Sequence, residues 1–138
     1  MPLLSDDGLL RACGLTAALN GLYDFLAPRA AHAFYFEQDT PYNAATMMWT
    51  AFGRMAVGAI TLYLSTGSTP RAAKGRLLRV LGGVLLAAGA SHTYNWRLGL
   101  QKPAVAASWG GGSALLGVLC LLRAARRPAG EGTAGKAE

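Results

Sequence analysis

Four long apolar runs, separated by short polar links, set the pattern of this chain. The first extends from about Leu9 to Ala27 and is followed by Pro28, where a helix most easily stops. The second, about Ala44 to Leu64, gives way to STGSTP, a cluster of small polar residues and proline that breaks a helix. The third, about Leu77 to Trp96, is apolar for two thirds of its length and polar at its end. The fourth, about Pro103 to Leu122, opens on a proline whose missing N–H costs nothing at a first helical position. None carries the charged stripe that a surface helix of a soluble protein repeats every three or four residues. Each run is about 20 residues, the length needed to cross a hydrocarbon core of ~30 Å. The pattern predicts an all-α, integral membrane four-helix bundle, one domain over residues 1–125 with spans at about 9–27, 44–64, 77–96 and 103–122.

The links fit that layout. RAAHAFYFEQDTPY, from Arg29 to Tyr42, is too polar to span but groups Phe34, Tyr35 and Phe36 as residues of an interfacial aromatic belt do, and predicts an interfacial loop or short helix. The last residues, 126–138, are glycine-rich and polar with nothing to bury, and are expected to be disordered.

Composition agrees: 52% of residues are hydrophobic and 14% charged, against about 25% charged in an average soluble domain. The mean hydropathy is +0.27. A net charge of +6 invites a nucleic-acid reading, but the cations sit between the apolar runs and at the chain end, where they orient spans. Arg11, Arg71, Lys74, Arg76, Arg79, Arg123, Arg126, Arg127 and Lys136 make nine on one side; Arg29, Arg97 and Lys102 make three on the other, beside Glu37 and Asp39. The positive-inside rule then places both termini and the second link in the cytosol, or in the matrix or stroma of an organelle.

Arg54 belongs to neither side. It falls near the middle of the second span, where an isolated arginine costs about 2.5 to 3.5 kcal/mol on insertion scales, so a partner is required. Asn20 and Asp24, four residues apart and on one face of the first span, are the candidates. If the first span ends and the second begins at the same outer interface, Arg54 lies ~15 Å deep and Asp24 ~5 Å; snorkelling closes part of that gap, and Asn20, at intermediate depth, is expected to bridge the two. The cluster reads either as an interhelical clasp or as a ligand or proton site.

His92, Tyr94, Asn95 and Trp96 gather at the depth of Asp24, at the outer end of the third span. A histidine there reads as a ligand or relay group, or as an interfacial anchor. His32 lies in an outer link, so the paired histidines of a membrane b-type haem are missing. Met47, Met48, Trp49 and Phe52 read as a lipid-facing belt or as the wall of a hydrophobic pocket. Ser108 lacks the G-x-S-x-G surroundings of a nucleophile elbow, and neither a catalytic residue nor a metal-ligand set is read from the chain.

Small residues point to packing. Ala106-x-x-x-Gly110-x-x-x-Ala114 and Ser113-x-x-x-Gly117 make the fourth span the best candidate for a close helix contact. Cys13 and Cys120 fall at similar depth near the cytosolic ends of the first and fourth spans and read as neighbouring apolar fillers rather than a redox pair.

With a first span ending in LYDFLAPRAAHAF, a second containing FGRMAVGAITLYL, then a basic link and two more spans, the chain resembles the DoxX-like group of small four-helix membrane proteins. The resemblance implies a compact four-helix bundle and carries over no catalytic residue. Two functions lead, ahead of a transporter, for which four spans in one copy leave little room without oligomerisation. One is a non-enzymatic accessory or structural subunit, held to the bilayer and to a membrane-protein partner or a second copy of itself. The other is a bundle holding a lipid-like, quinone-like or pigment ligand in an outer-half cavity lined by Asn20, Asp24, Arg54, His92 and Asn95. They differ in whether the polar side chains converge on a space; the cofactor, if any, is not legible.

Overall fold

The computed structural model describes residues 5–126, which are all-helical apart from their links. Five helices follow one another: α1 (Asp6–Leu26), the short α2 (Pro28–Tyr35), α3 (Ala44–Leu64), α4 (Arg71–Arg97) and α5 (Pro103–Ala125), the last with one wide π turn at Ala106–Gly110. The short helix in the first link is α2. The tail expected to be disordered lies outside the described residues, except Arg126.

Local chemistry sets the ends. The Ser5 side chain accepts from the Gly8 N–H, and Asp6 and Asp7 sit in the first turn of α1, where the helix dipole favours acids. Asn43 caps α3 by accepting from the Thr46 N–H. Pro28 and Pro103 open α2 and α5. The third run was expected to begin its helix at about Leu77, but α4 begins at Arg71; its first turns, RAAKGR, are polar yet rich in good helix formers, so hydropathy marks the apolar stretch and not the helix.

The long helices pair as two antiparallel hairpins, each drawn together by glycine. In α1/α3, Gly14 abuts Gly58 and Leu62, and Gly21 abuts Ala51 and Met55. A Cβ at Gly58 would lie 2.5 Å from the Ala18 N. In α4/α5, a Cβ at Gly89 would lie 2.9 Å from the Gly110 O, and one at Gly117 equally close to the Gly82 O. Gly110, Ala114 and Gly117 thus make the close contact that the spacing in the fourth run predicts.

The hairpins meet most closely at one end, around Leu9, Leu10, Cys13, Leu78, Leu81, Cys120 and Ala124. Cys13 and Cys120 are neighbours, their sulfurs 3.7 Å apart. Two ion pairs lie toward the same end, Lys74 to Asp7 at 2.6 Å and Arg123 to Asp6 at 2.8 Å.

At the opposite end, chain links cover the space between hairpins. Gly99, at φ 70°, ends α4 in a Schellman turn: its N–H donates to the Trp96 O, and the Leu100 N–H to the Asn95 O. The following residues pair with the link after α2. Phe36 bridges Gln101 in antiparallel fashion, the Glu37 N–H and the Thr40 hydroxyl donate to the Leu100 O, and Lys102 Nζ donates to the Ala33 O. Beneath this seam Ala31, Tyr35, Met47 and Val105 form a second, smaller core with Trp109 against it.

Every long helix turns apolar side chains outward. Leu15, Leu19, Leu22 and Leu26 stripe α1, Val57 and Ile60 mark α3, Val80 and Val84 mark α4, and Leu115, Val118 and Leu122 stripe α5. Leu19, Ile60, Val80 and Leu115 are 62, 58, 62 and 64% exposed, while Asp24 is wholly buried. By length and apolarity alone, one described helix, α5, qualifies as a membrane span. The reason α1, α3 and α4 look more polar is partly internal, since Asp24, Arg54, Ser91 and His92 lie along them and face one cavity.

Candidate functional site

A cavity of about 420 Å³ lies between the hairpins at the end covered by the links. Asp24 of α1 and Arg54 of α3 form one wall; Ala88, Ser91, His92 and Asn95 of α4 form the other. Its remaining boundary comes from α2, the 36–43 link and Gln101. Periodicity explains the walls. Thr46, Thr50 and Arg54 recur every four residues on α3, and Ala88, His92 and Asn95 at four and three residues on α4, so each set occupies one helical face.

Asp24 and Arg54 are bonded directly, Nη1 donating to Oδ2 at 2.5 Å. Asn20, expected to bridge them, does not line the cavity. The expectation failed on register. Because Gly21 packs against Ala51 and Met55, Asp24, one turn further along α1, is level with the turn before Ala51, and Arg54 reaches outward by only about one turn, ~5 Å. The end of α1 and the start of α3 are not at one level; α3 extends beyond the end of α1, and α2 packs beside that extension.

Asp24 Oδ2 takes the arginine, while its Oδ1 is buried without a hydrogen-bond partner. Arg54 keeps 34% of its side chain exposed and lies over the Tyr35 ring, 5.5 Å from its centre. Burial first, and then the negative charge of Asp24, push the Tyr35 phenol above its ordinary pKa. Tyr35 therefore stands as a neutral hydroxyl beside the ion pair.

Across the cavity, Gln101, itself buried, brings its side-chain amide to His92 Nδ1: Nε2 lies 2.8 Å away and Oε1 3.1 Å. The amide nitrogen is the nearer atom, so the bond is assigned as Gln101 Nε2–H donating to Nδ1, an assignment that puts a ring proton on His92 Nε2. Gly110 makes room for this histidine, since a Cβ there would lie 3.1 Å from the His92 Cβ. Thr50 donates its hydroxyl to the Thr46 O. Among the described residues, no three His, Cys, Asp or Glu side chains gather as a metal site.

Of the residues singled out from sequence, Asp24, Arg54, His92 and Asn95 come together and Asn20 does not. Met47 joins the cavity wall, whereas Trp49 and Phe52 face outward. His32, Tyr35, Thr46, Thr50 and Gln101 were not singled out as cavity residues. The four-residue recurrence of Thr46, Thr50 and Arg54 is a signal that finds two of them; the other three owe their place to tertiary pairing of the links. No family model matches the chain, and no curated protein or solved structure matches it.

Proposed function

We propose that α1, α3, α4 and α5 cross a membrane as a four-helix bundle, in the manner of the DoxX-like layout, and that the bundle binds a small lipid-like ligand in its outer half. The observation that carries the binding reading is convergence: Asp24, Arg54 and His92, from three helices, line one cavity. A clasp alone would leave no such space. Support for the membrane comes from inversion of the usual burial pattern. Leucine, valine and isoleucine face outward along every long helix while the ion pair is inside, an arrangement matched to hydrocarbon rather than water. The basic end, with Lys74, Arg76, Arg79 and Arg123, is then cytosolic or its organellar equivalent, and the cavity end faces the opposite compartment.

The experiment has two arms. Thiol-reactive probes applied to a Cys13→Ser, Cys120→Ser background should reach Asp39→Cys and Ser68→Cys from opposite sides of sealed vesicles. Labelling of both from one side rejects the topology. Native mass spectrometry from mild detergent should show a bound small molecule that His92→Phe weakens. A wild-type protein carrying nothing but detergent, and saturating with no added lipid, rejects the binding site.

A further inference from the structure

Resting on that binding reading, we infer that the cavity recognises an uncharged head group rich in hydrogen-bond acceptors, the ester or ketone carbonyl of a neutral lipid. The formal charges lining it, Asp24 and Arg54, cancel each other at 2.5 Å. A charged head group would enter a partly desolvated space with no counter-ion of its own, which is costly. A cationic head is further disfavoured because Asp24 is wholly buried behind its arginine and offers an ammonium no open carboxylate.

Arg54 and His92 face the space with donors from opposite walls, and Tyr35, Thr46, Ser91 and Asn95 beside them carry groups that can donate or accept. Arg54 gives one N–H to Asp24, and its partly exposed guanidinium keeps others for the cavity. His92, its Nδ1 occupied by Gln101, presents an Nε2–H. The Thr50 hydroxyl is committed as a donor to the Thr46 O. When a ligand displaces water from Arg54 and His92, a donor left without an acceptor costs free energy, and a carbonyl supplies two lone pairs without bringing charge. Phe36, Pro41, Met47 and Ala88 add apolar surface suited to the chain or ring attached to that carbonyl. Buried Gln101 fixes the histidine, so the donor on that wall is set before a ligand arrives.

The test compares four probes that share an unbranched ten-carbon chain and differ at the head: methyl decanoate, decanoate, decylamine and decanol. The protein is placed in nanodiscs of ether-linked phosphatidylcholine, so that the bilayer contributes no ester carbonyl. Trp109, whose ring packs on Tyr35 at 5.9 Å, reports binding in a Trp49→Phe, Trp96→Phe background. Methyl decanoate should bind at least about tenfold more tightly than decanoate or decylamine and ahead of decanol, and His92→Phe should weaken it about fivefold to tenfold, the ratio one hydrogen bond supplies. Preference for decanoate, decylamine or decanol overturns the inference and leaves the binding reading standing. Failure of all four to give saturable binding removes both. The wild-type series decides the matter even if His92→Phe does not fold.

Discussion

Replacing Arg54 by methionine separates an ion pair that neutralises a buried charge from an ordinary interhelical hydrogen bond. Asp24 is wholly buried and its second oxygen already lacks a partner, so R54M leaves a carboxylate that neither water nor protein compensates. Loss of one member of a buried pair costs about 3 to 5 kcal/mol. D24N is milder: the amide still offers an oxygen to the guanidinium, and Arg54, 34% exposed to the cavity, can take up water, so about 1 to 2 kcal/mol is expected. The double substitution D24N/R54M removes both charges and should be less damaging than R54M alone, with a coupling of at least about 1.5 kcal/mol between the two sites. The assay is reversible unfolding in mixed micelles titrated with sodium dodecyl sulfate, followed by tryptophan fluorescence. A polar contact of the kind that averages ~0.6 kcal/mol in membranes would give two small, additive effects. Costs of that size, or D24N as damaging as R54M, would refute the account of Asp24 as a charge that depends on its arginine.

Three other outcomes follow from the packing and the site. Mild oxidation with copper phenanthroline should join Cys13 to Cys120, whose sulfurs are 3.7 Å apart, giving a faster-migrating monomer on a non-reducing gel that Cys13→Ser abolishes. Gly58→Leu should cost about 1 to 3 kcal/mol or more by overpacking against Ala18, whereas Gly53→Leu, at a position with open space around it, should stay within about 0.5 kcal/mol of wild type in the same unfolding assay. Because Tyr35 is raised above its usual value by burial and then by Asp24, its neutral form stabilises the fold below the unfolded-state value near pH 10. That contribution is lost as pH rises through the higher folded value, at up to about 1.4 kcal/mol per pH unit; Tyr35→Phe should flatten this alkaline limb, and an unchanged limb would count against it.

Helix positions were legible from hydropathy where apolar residues reach the helix end, as at Leu64 in α3, and illegible where they do not, as at Arg71 in α4. The need of Arg54 for Asp24 followed from the cost of an arginine among apolar residues, an argument that requires no coordinates. Its geometry did not follow, because the stagger of α1 against α3 is set by Gly14, Gly21 and Gly58 fitting particular gaps, and that fit decides against Asn20. Gln101 was harder still. Nothing in its immediate sequence distinguishes it, and it reaches His92 only because the Schellman turn at Gly99 and the pairing with Phe36 carry the link back over the cavity.

The division into two glycine-drawn hairpins bears on how such a chain would be made. Asp24 and Arg54 lie within the first hairpin, His92 and Gln101 within the second segment, so each pair of partners is synthesised close together and can meet before the other half exists. Asp7 meets Lys74 once α4 begins, whereas Asp6 with Arg123 and Cys13 with Cys120 wait for the last helix. On the four-span reading, a ribosome would deliver two insertion units in turn, each with its inward polar partners already matched, and the last helix to emerge would latch the first one.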